Sequence, residues 1–145
     1  MRSTTIELHS TLAADDAVVW AHSTSLEGIS SELPGPLRLS SRPAVTSLEA
    51  FLAAGSVLAV LRIGPVPLMR WHPAVAELGA RHFVERSTDM TAMRSWRHER
   101  RVDPAEGGCS VVDRVTISPR LPGSAAAVRW FFGRRHRALR RRFGG

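Results

Sequence analysis

The sequence predicts an α+β domain in which a strand, two short helices, a series of strands and one long C-terminal helix follow each other. Three observations lead to this prediction. Polar and apolar residues alternate near the N-terminus and again in much of 37–121, as they do in half-buried strands. Residues that favour turns separate these alternating segments. Residues 124–143 instead repeat apolar side chains at three- and four-residue steps, which is the spacing of an amphipathic helix.

Size and composition agree with a single domain spanning residues 1–145. The chain is 43% hydrophobic and 23% charged, which is ordinary for a folded globular protein. No apolar run approaches the roughly 18 residues of a membrane span, and the N-terminus lacks the apolar core of a signal peptide. The single cysteine, Cys109, excludes an intrachain disulfide framework and a multi-cysteine zinc site. These features predict a cytoplasmic location.

The first elements are read from alternation and helix-end signals. Thr4 to Leu12 alternates polar and apolar residues, which predicts a half-buried strand. Two aspartates follow and open a helix that runs to about Ser23, because acids are favourable in a first helical turn. A second short helix, about Leu26 to Glu32, ends before Pro34, because proline cannot continue a helix.

The middle of the chain is predicted to be a meander of strands. Each segment alternates, or is an apolar run bounded by glycine or proline. The predicted strands are residues 37–40, 57–63, 69–78, 81–87, 95–102 and 109–118. Residues 45–54 fit either a short helix or a loop. The turn-rich segment 103–108 joins the last two strands into a hairpin.

This hairpin determines which residues share a face of the sheet. If Pro104 lies opposite Cys109, cross-strand partners share a face, and nearly all the apolar residues fall on one of them. That inner face consists of Trp96, His98, Arg100, Val102, Cys109, Val111, Asp113, Val115 and Ile117. A slip of one residue would invert the assignment, so the apolar pattern favours this register.

The inner face contains three polar residues, His98, Arg100 and Asp113, which is unusual for a core face. Burying an unpaired charge is costly, so these groups should pair with one another or border water. Glu85 on the preceding strand joins them if Phe83, on the same face, points inward. An apolar interior with a few convergent polar groups is typical of a ligand pocket.

The C-terminal helix, about Ser124 to Phe143, has an apolar stripe and a basic outer side. The stripe consists of Ala125, Val128, Phe132, His136, Leu139 and Phe143. All 20 basic residues of the chain are arginine, and the excess of +7 lies in 129–142, which contains no acid. Arg134, Arg137 and Arg141 on the outer side predict an anionic partner, nucleic acid or a membrane surface. Alternatively, the arginines only keep an exposed face charged in an arginine-biased composition.

Several segments, in this order of elements, resemble the START-like or SRPBCC superfamily, whose helix-grip fold wraps a curved antiparallel sheet around a long C-terminal helix. They are Phe83-Val84-Glu85, Trp96-Arg97-His98-Glu99-Arg100, and Gly107-Gly108 leading to Asp113-Arg114-Val115, with Val18-Val19-Trp20 and Leu33-Pro34 earlier in the chain. The resemblance is to polyketide-cyclase-like and coenzyme-Q-binding-like members. The chain departs from them in having no tyrosine and an arginine-rich last helix.

The resemblance implies that a small hydrophobic molecule, such as a lipid, polyketide or isoprenoid-like compound, binds between the sheet and the last helix. The ligand-binding residues predicted on this basis are Trp71, Phe83, Glu85, Trp96, His98, Arg100, Asp113, Val115 and Phe132. An alternative is a polyketide cyclase or dehydratase that acts on a poly-ketone, with His98, Asp113 and Glu85 as acid and base. A buried ion-pair network that holds the strands in register is equally consistent with these residues. No cofactor is predicted, and the histidines lack the spacing of a metal site.

Overall fold

The computed structural model describes residues 2–55, 57–87, 90 and 92–145, and in these residues the chain forms eight strands and four helices. In chain order they are β1 (Thr4–Leu12), α1 (Asp16–Ser23), α2 (Leu26–Ser31), β2 (Leu37–Arg42), α3 (Leu48–Ala54), β3 (Leu58–Ile63), β4 (Val66–Trp71), β5 (Ala74–Leu78), β6 (His82–Ser87), β7 (Met93–Ala105), β8 (Gly108–Pro119) and α4 (Ser124–Phe143). The strands form a five-stranded antiparallel sheet, ordered β1-β8-β7-β6-β5, and a three-stranded one, ordered β2-β3-β4.

Serine residues determine where two of the short helices begin. The hydroxyl of Ser25 accepts a hydrogen bond from the backbone N–H of Gly28 at 3.0 Å, at the start of α2. The hydroxyl of Ser47 accepts one from the N–H of Ala50 at 3.1 Å, at the start of α3. Each serine satisfies a donor that the first turn of a helix leaves free. Residues 45–54, which fitted a helix or a loop, therefore contain a helix.

The prediction of one strand over residues 69–78 is wrong. The segment contains the end of β4 and the whole of β5, and these strands belong to different sheets. Pro73 lies between them and has no backbone N–H to donate to a strand ladder, so the strand cannot continue through it. Apolar residues recur on both sides of this break, so the apolar pattern by itself predicted one continuous strand.

The predicted hairpin register is confirmed. Pro104 lies opposite Cys109, Arg100 opposite Asp113, and β7 and β8 are joined by a tight turn. Gly107 in this turn has a φ of 77°, a conformation that costs glycine little. Of the nine residues assigned to the inner face, eight are buried and Trp96 is half-buried. The inner face is thus the one that the apolar pattern indicated.

Helix α4 lies against the inner side of the five-stranded sheet, where it packs on β1 and β8. The predicted stripe is on the buried side, with Val128, Phe132, His136 and Leu139 buried. Phe132 joins an apolar cluster with Ile6, Val115 and others, while Leu139 joins a second cluster near the hairpin turn. The core therefore lies between the sheet and α4, as in the helix-grip arrangement.

Gly108, the first residue of β8, is expected to be intolerant of any side chain. A Cβ atom at this position would lie 1.9 Å from the carbonyl oxygen of Leu12, so the end of β1 would have to move. We expect Gly108→Ala to lower the free energy of unfolding by about 1–3 kcal/mol, measured by urea denaturation. The control is Gly133→Ala in α4, where a Cβ meets no atom within 4 Å. Alanine should stabilise that helix by about 0.5–1 kcal/mol, and equal effects of the two variants would contradict this assignment.

Candidate functional site

Arg100 is at the centre of a buried ion-pair network. It lies on β7, is 0% exposed, and contacts carboxylates on two sides. Its Nε and Nη2 donate to Oδ1 and Oδ2 of Asp113 on β8, at 2.8 and 2.7 Å. Its Nη1 and Nη2 donate to Oε2 and Oε1 of Glu32 at 3.1 and 2.9 Å, and Nη1 also donates to Ser23 Oγ at 3.2 Å. These contacts use all five N–H donors of the guanidinium group.

Asp113 connects this cation to two histidines. His98 Nε2 donates to Asp113 Oδ1 at 2.6 Å, and His136 Nε2 on α4 donates to Oδ2 at 2.7 Å. Together with the two bonds from Arg100, the carboxylate accepts four hydrogen bonds, which is its full capacity. The network therefore links α4 to β7 and β8 through hydrogen bonds on the inner face of the sheet.

His136 extends the network to β1. Its Nδ1 lies 2.6 Å from Ser10 Oγ, and Arg140 Nη1 donates to the same oxygen at 2.9 Å. When His136 carries its proton on Nε2, it donates to Asp113 and accepts from the Ser10 hydroxyl. Both ring nitrogens of His136 then have a partner. The arrangement anchors α4 to the sheet through polar contacts as well as through apolar packing.

The charges of the network stabilise one another despite complete burial. Burial favours the neutral form of Asp113, but the attraction of Arg100 and His98, together with hydrogen bonds from Arg100 and His136, holds its pKa well below the usual range. Burial likewise opposes ionisation of Glu32, and Arg100 and Arg135 nonetheless lower its pKa. The pKa of Arg100 is raised, because Asp113 and Glu32 outweigh the effect of burial. Carboxylates and guanidinium are therefore all ionised at neutral pH.

An apolar cavity of about 270 Å³ lies beside this network. Its walls come from both sheets, from α2 and α3, and from α4, and most of them are leucine, methionine and aromatic side chains. Among the described residues that line it, three are ionisable: Glu85, His98 and Arg135. His98 connects the cavity to the buried network, because its ring lines the cavity while its Nε2 contacts Asp113.

Six of the nine predicted ligand-binding residues line this cavity: Trp71, Phe83, Glu85, Trp96, His98 and Phe132. Arg100, Asp113 and Val115 are completely buried and are not among the described residues of its wall. Of the three catalytic candidates, Glu85 and His98 reach the cavity, and Asp113 contacts it only through His98. Glu85 lies apart from the Arg100 network and accepts a hydrogen bond from Trp96 Nε1 at 3.0 Å.

Sequence reasoning missed three residues of the site. Glu32 directly follows α2, and no periodic pattern connects it with Arg100. His136 was assigned to an apolar stripe, although a histidine on such a stripe is itself a sign of a buried polar contact. Arg135 stands seven residues after Val128 and three after Phe132, a spacing that placed it on the buried side.

Two of the three arginines predicted on the outer side of α4, Arg137 and Arg141, are exposed, and Arg134 is half-buried. Trp130 on the same helix is 60% exposed. Contact of this surface with an anionic partner stays a prediction. In the described part of the chain, the helices lack the combination of length and apolar character that crossing a bilayer requires.

Comparison with solved structures identifies the same fold in very different sequences. A protein from Chromobacterium violaceum is 13% identical, with a TM-score of 0.72 over 97% of this chain and 98% of that one. Major latex-like protein 151 from Panax ginseng is 9% identical, with a TM-score of 0.69 over 97% of both chains. A START superfamily protein from Mycobacterium smegmatis is 10% identical, with a TM-score of 0.64 over 97% of this chain and 96% of that one. These likenesses establish the START-like helix-grip fold.

At the level of sequence, the curated proteins contain no match to the chain. One family model matches residues 10–143, a range that includes β8, α4 and every residue of the Arg100 network. The chain therefore belongs to the family described as Domain of unknown function (DUF8410), and its fold is that of the START-like superfamily.

Proposed function

We propose that this protein binds a compact, mostly apolar small molecule in the cavity between its sheets and α4. The observation that carries the proposal is the cavity itself, a space of about 270 Å³ with apolar walls and few polar groups. Such a composition is typical of ligand pockets. An apolar cavity of about 150 Å³ is large enough for benzene, so this volume suits a molecule of one to three rings.

The buried network supports binding rather than chemistry on the ligand. Arg100 uses all of its donors and Asp113 all of its acceptor positions within the protein. Arg100 therefore has no free donor, and Asp113 no free acceptor position, for a substrate. Both residues lie behind the cavity wall. Their contribution is to hold His98 and α4 in place, which keeps the cavity open and its shape fixed. This argues against Asp113 as an acid or base in a cyclase reaction.

The test uses N-phenylnaphthylamine, an uncharged aromatic probe whose fluorescence rises in an apolar site. We expect saturable binding to the purified protein, with one probe per chain. Ala127→Trp should weaken the binding at least tenfold, because Ala127 lines the cavity at an exposed position where a large ring narrows the entrance.

The matched control is Ala126→Trp, which adds the same side chain at the neighbouring exposed position of α4, outside the cavity lining. It should leave the dissociation constant unchanged. Native mass spectrometry of both variants gives the stoichiometry independently of fluorescence. Equal binding by the two variants, or failure of the unmodified protein to bind the probe, would contradict the proposal.

A further inference from the structure

Arg135 is a buried cation in the cavity wall whose hydrogen bonding is incomplete. Its side chain is 8% exposed, and its Cζ lies 4.9 Å from the centre of the Phe132 ring. Its closest ionic contact is Glu32, with 3.3 Å between Nη2 and Oε1. Its Nε is buried without a hydrogen-bond partner among the described residues. A guanidinium group has five N–H donors, and buried donors nearly always have acceptors.

The contrast with Arg100 indicates what Arg135 lacks. Arg100 donates to an acceptor with each of its five N–H groups, whereas Arg135 approaches Glu32 only to 3.3 Å and its Nε has no acceptor among the described residues. Its charge is nevertheless balanced. The two guanidinium groups of Arg100 and Arg135 are matched by the carboxylates of Glu32 and Asp113. What Arg135 lacks is therefore an acceptor atom rather than an opposite charge.

Glu85 argues against an anion as the missing acceptor. Its carboxylate lines the same cavity, and one of its oxygens is held by the Trp96 indole. An anionic ligand would add a further negative charge to a largely apolar space that already contains this carboxylate. Arg135 is the one guanidinium among the described residues of the cavity wall, and its charge is already matched by the pairing of Arg100 and Arg135 with Glu32 and Asp113. Burying an extra, unbalanced charge in such a site is costly.

We infer that the ligand of this cavity is an uncharged carbonyl compound, with a ring body in the apolar part and its oxygen accepting hydrogen bonds from Arg135. This inference rests on the proposed function and specifies the chemical class that the cavity selects. Carbonyl oxygen supplies two lone pairs without bringing a charge, which is what the unpartnered donors of Arg135 require. A pure hydrocarbon fills the same space but leaves those donors without an acceptor.

Tetralone and tetralin provide the test, because they share one bicyclic skeleton and differ by a carbonyl group. We expect isothermal titration calorimetry to give about a 10- to 100-fold tighter dissociation constant for tetralone, the effect of a hydrogen bond from a charged donor. In Arg135→Met the ratio of the two constants should fall to about one, with tetralin binding retained. Arg137→Met, at an exposed position of the same helix, should keep the wild-type ratio.

A second variant covers the case in which Arg135→Met does not fold. Arg135→Lys keeps a cation near Glu32 but replaces the planar fork of donors by a single ammonium group. It should fold, bind tetralin as before and lose most of the preference for tetralone. Retention of the full preference in this variant would contradict the role given to the guanidinium.

The remaining outcomes separate this inference from the proposed function. Equal binding of tetralone and tetralin by the unmodified protein overturns the carbonyl preference, while cavity binding stands. Tighter binding of naphthoate than of tetralone also overturns it, because the preferred ligand would then be an anion. If neither tetralone nor tetralin binds, and N-phenylnaphthylamine also fails, the proposed function and the inference are both overturned.

Discussion

Replacing Arg100 with methionine is expected to lower the free energy of unfolding at neutral pH by about 3–5 kcal/mol, a large part of the total for a domain of this size. The reason is the two carboxylates that the substitution leaves buried. Asp113 keeps hydrogen bonds from His98 and His136 but loses its cation, and Glu32 keeps only the 3.3 Å contact to Arg135 and a 3.5 Å contact to His22. The change is measured by urea denaturation at pH 7.

The same variant should reverse the dependence of stability on pH. In the unmodified protein the pKa values of Asp113 and Glu32 are lowered on folding. The stability that they contribute is therefore present above about pH 4, the unfolded-state range, and is lost as the pH falls through the folded values. Without Arg100, this cation no longer offsets the effect of burial, so the folded variant takes up protons on the carboxylates of Asp113 and Glu32. Its stability should then rise as the pH is lowered from about 7 to 5.

Arg101→Met is the matched control, because Arg101 is the next residue of β7 and its side chain is exposed on the other face. It should change stability by less than about 0.5 kcal/mol and preserve the wild-type dependence on pH. If Arg100→Met loses stability on acidification to the same extent as this control, the buried carboxylates do not depend on Arg100 and the account of the network is wrong.

Truncation of Phe132 to alanine is expected to cost about 3–5 kcal/mol, the range for a large buried aromatic side chain. Phe132 is 1% exposed, and its ring centre lies 4.9 Å from that of His98 and 6.0 Å from that of Trp96. Because Phe132 also lines the cavity, the space it vacates joins the cavity instead of forming a separate void. The variant should consequently bind pyrene more tightly than the unmodified protein does.

Trp130→Ala tests whether the loss at Phe132 comes from the core. Trp130 is two residues earlier on the same helix but is 60% exposed, so its removal should change stability by less than about 0.5 kcal/mol. This control should bind pyrene no more tightly than the unmodified protein does. Thermal denaturation of the two variants, followed by fluorescence titration with pyrene, distinguishes them. If the Phe132 and Trp130 variants had similar stability, the contribution assigned to Phe132 in the core would be wrong.

Local patterns in the sequence predicted the parts of the structure that depend on neighbouring residues. The β7–β8 hairpin is such a case, because a short turn and strict alternation determine its register and its inner face. The long stripe on α4 is another, because its spacing extends over the whole helix. These two patterns correctly place Trp96, His98 and Phe132, which all line the cavity.

Contacts between distant segments could not be derived in this way. The bond from Arg100 to Glu32 joins residues 68 positions apart, and no periodicity relates them. Arg135 was not assigned to either side of α4, for a different reason. Its spacing is that of the buried residues of α4, whereas its charge and its arginine neighbours are typical of a solvated face. The contact with Glu32, an acidic residue outside α4, explains why Arg135 is buried. Which charges are buried depends on tertiary pairing, and the sequence of one helix does not contain that information.

The separation of β4 from β5 affects how quickly a molecule can enter and leave. These consecutive strands belong to different sheets, and in the part of the chain that the structure describes no strand ladder connects the two sheets. Between them the cavity is enclosed by side chains such as Trp71 and Met69. Rotamer changes are far faster than the opening of a strand ladder. If a molecule binds in the cavity as proposed, we expect the strength of its own contacts to govern its residence time, and we expect its exchange to proceed without opening of the fold.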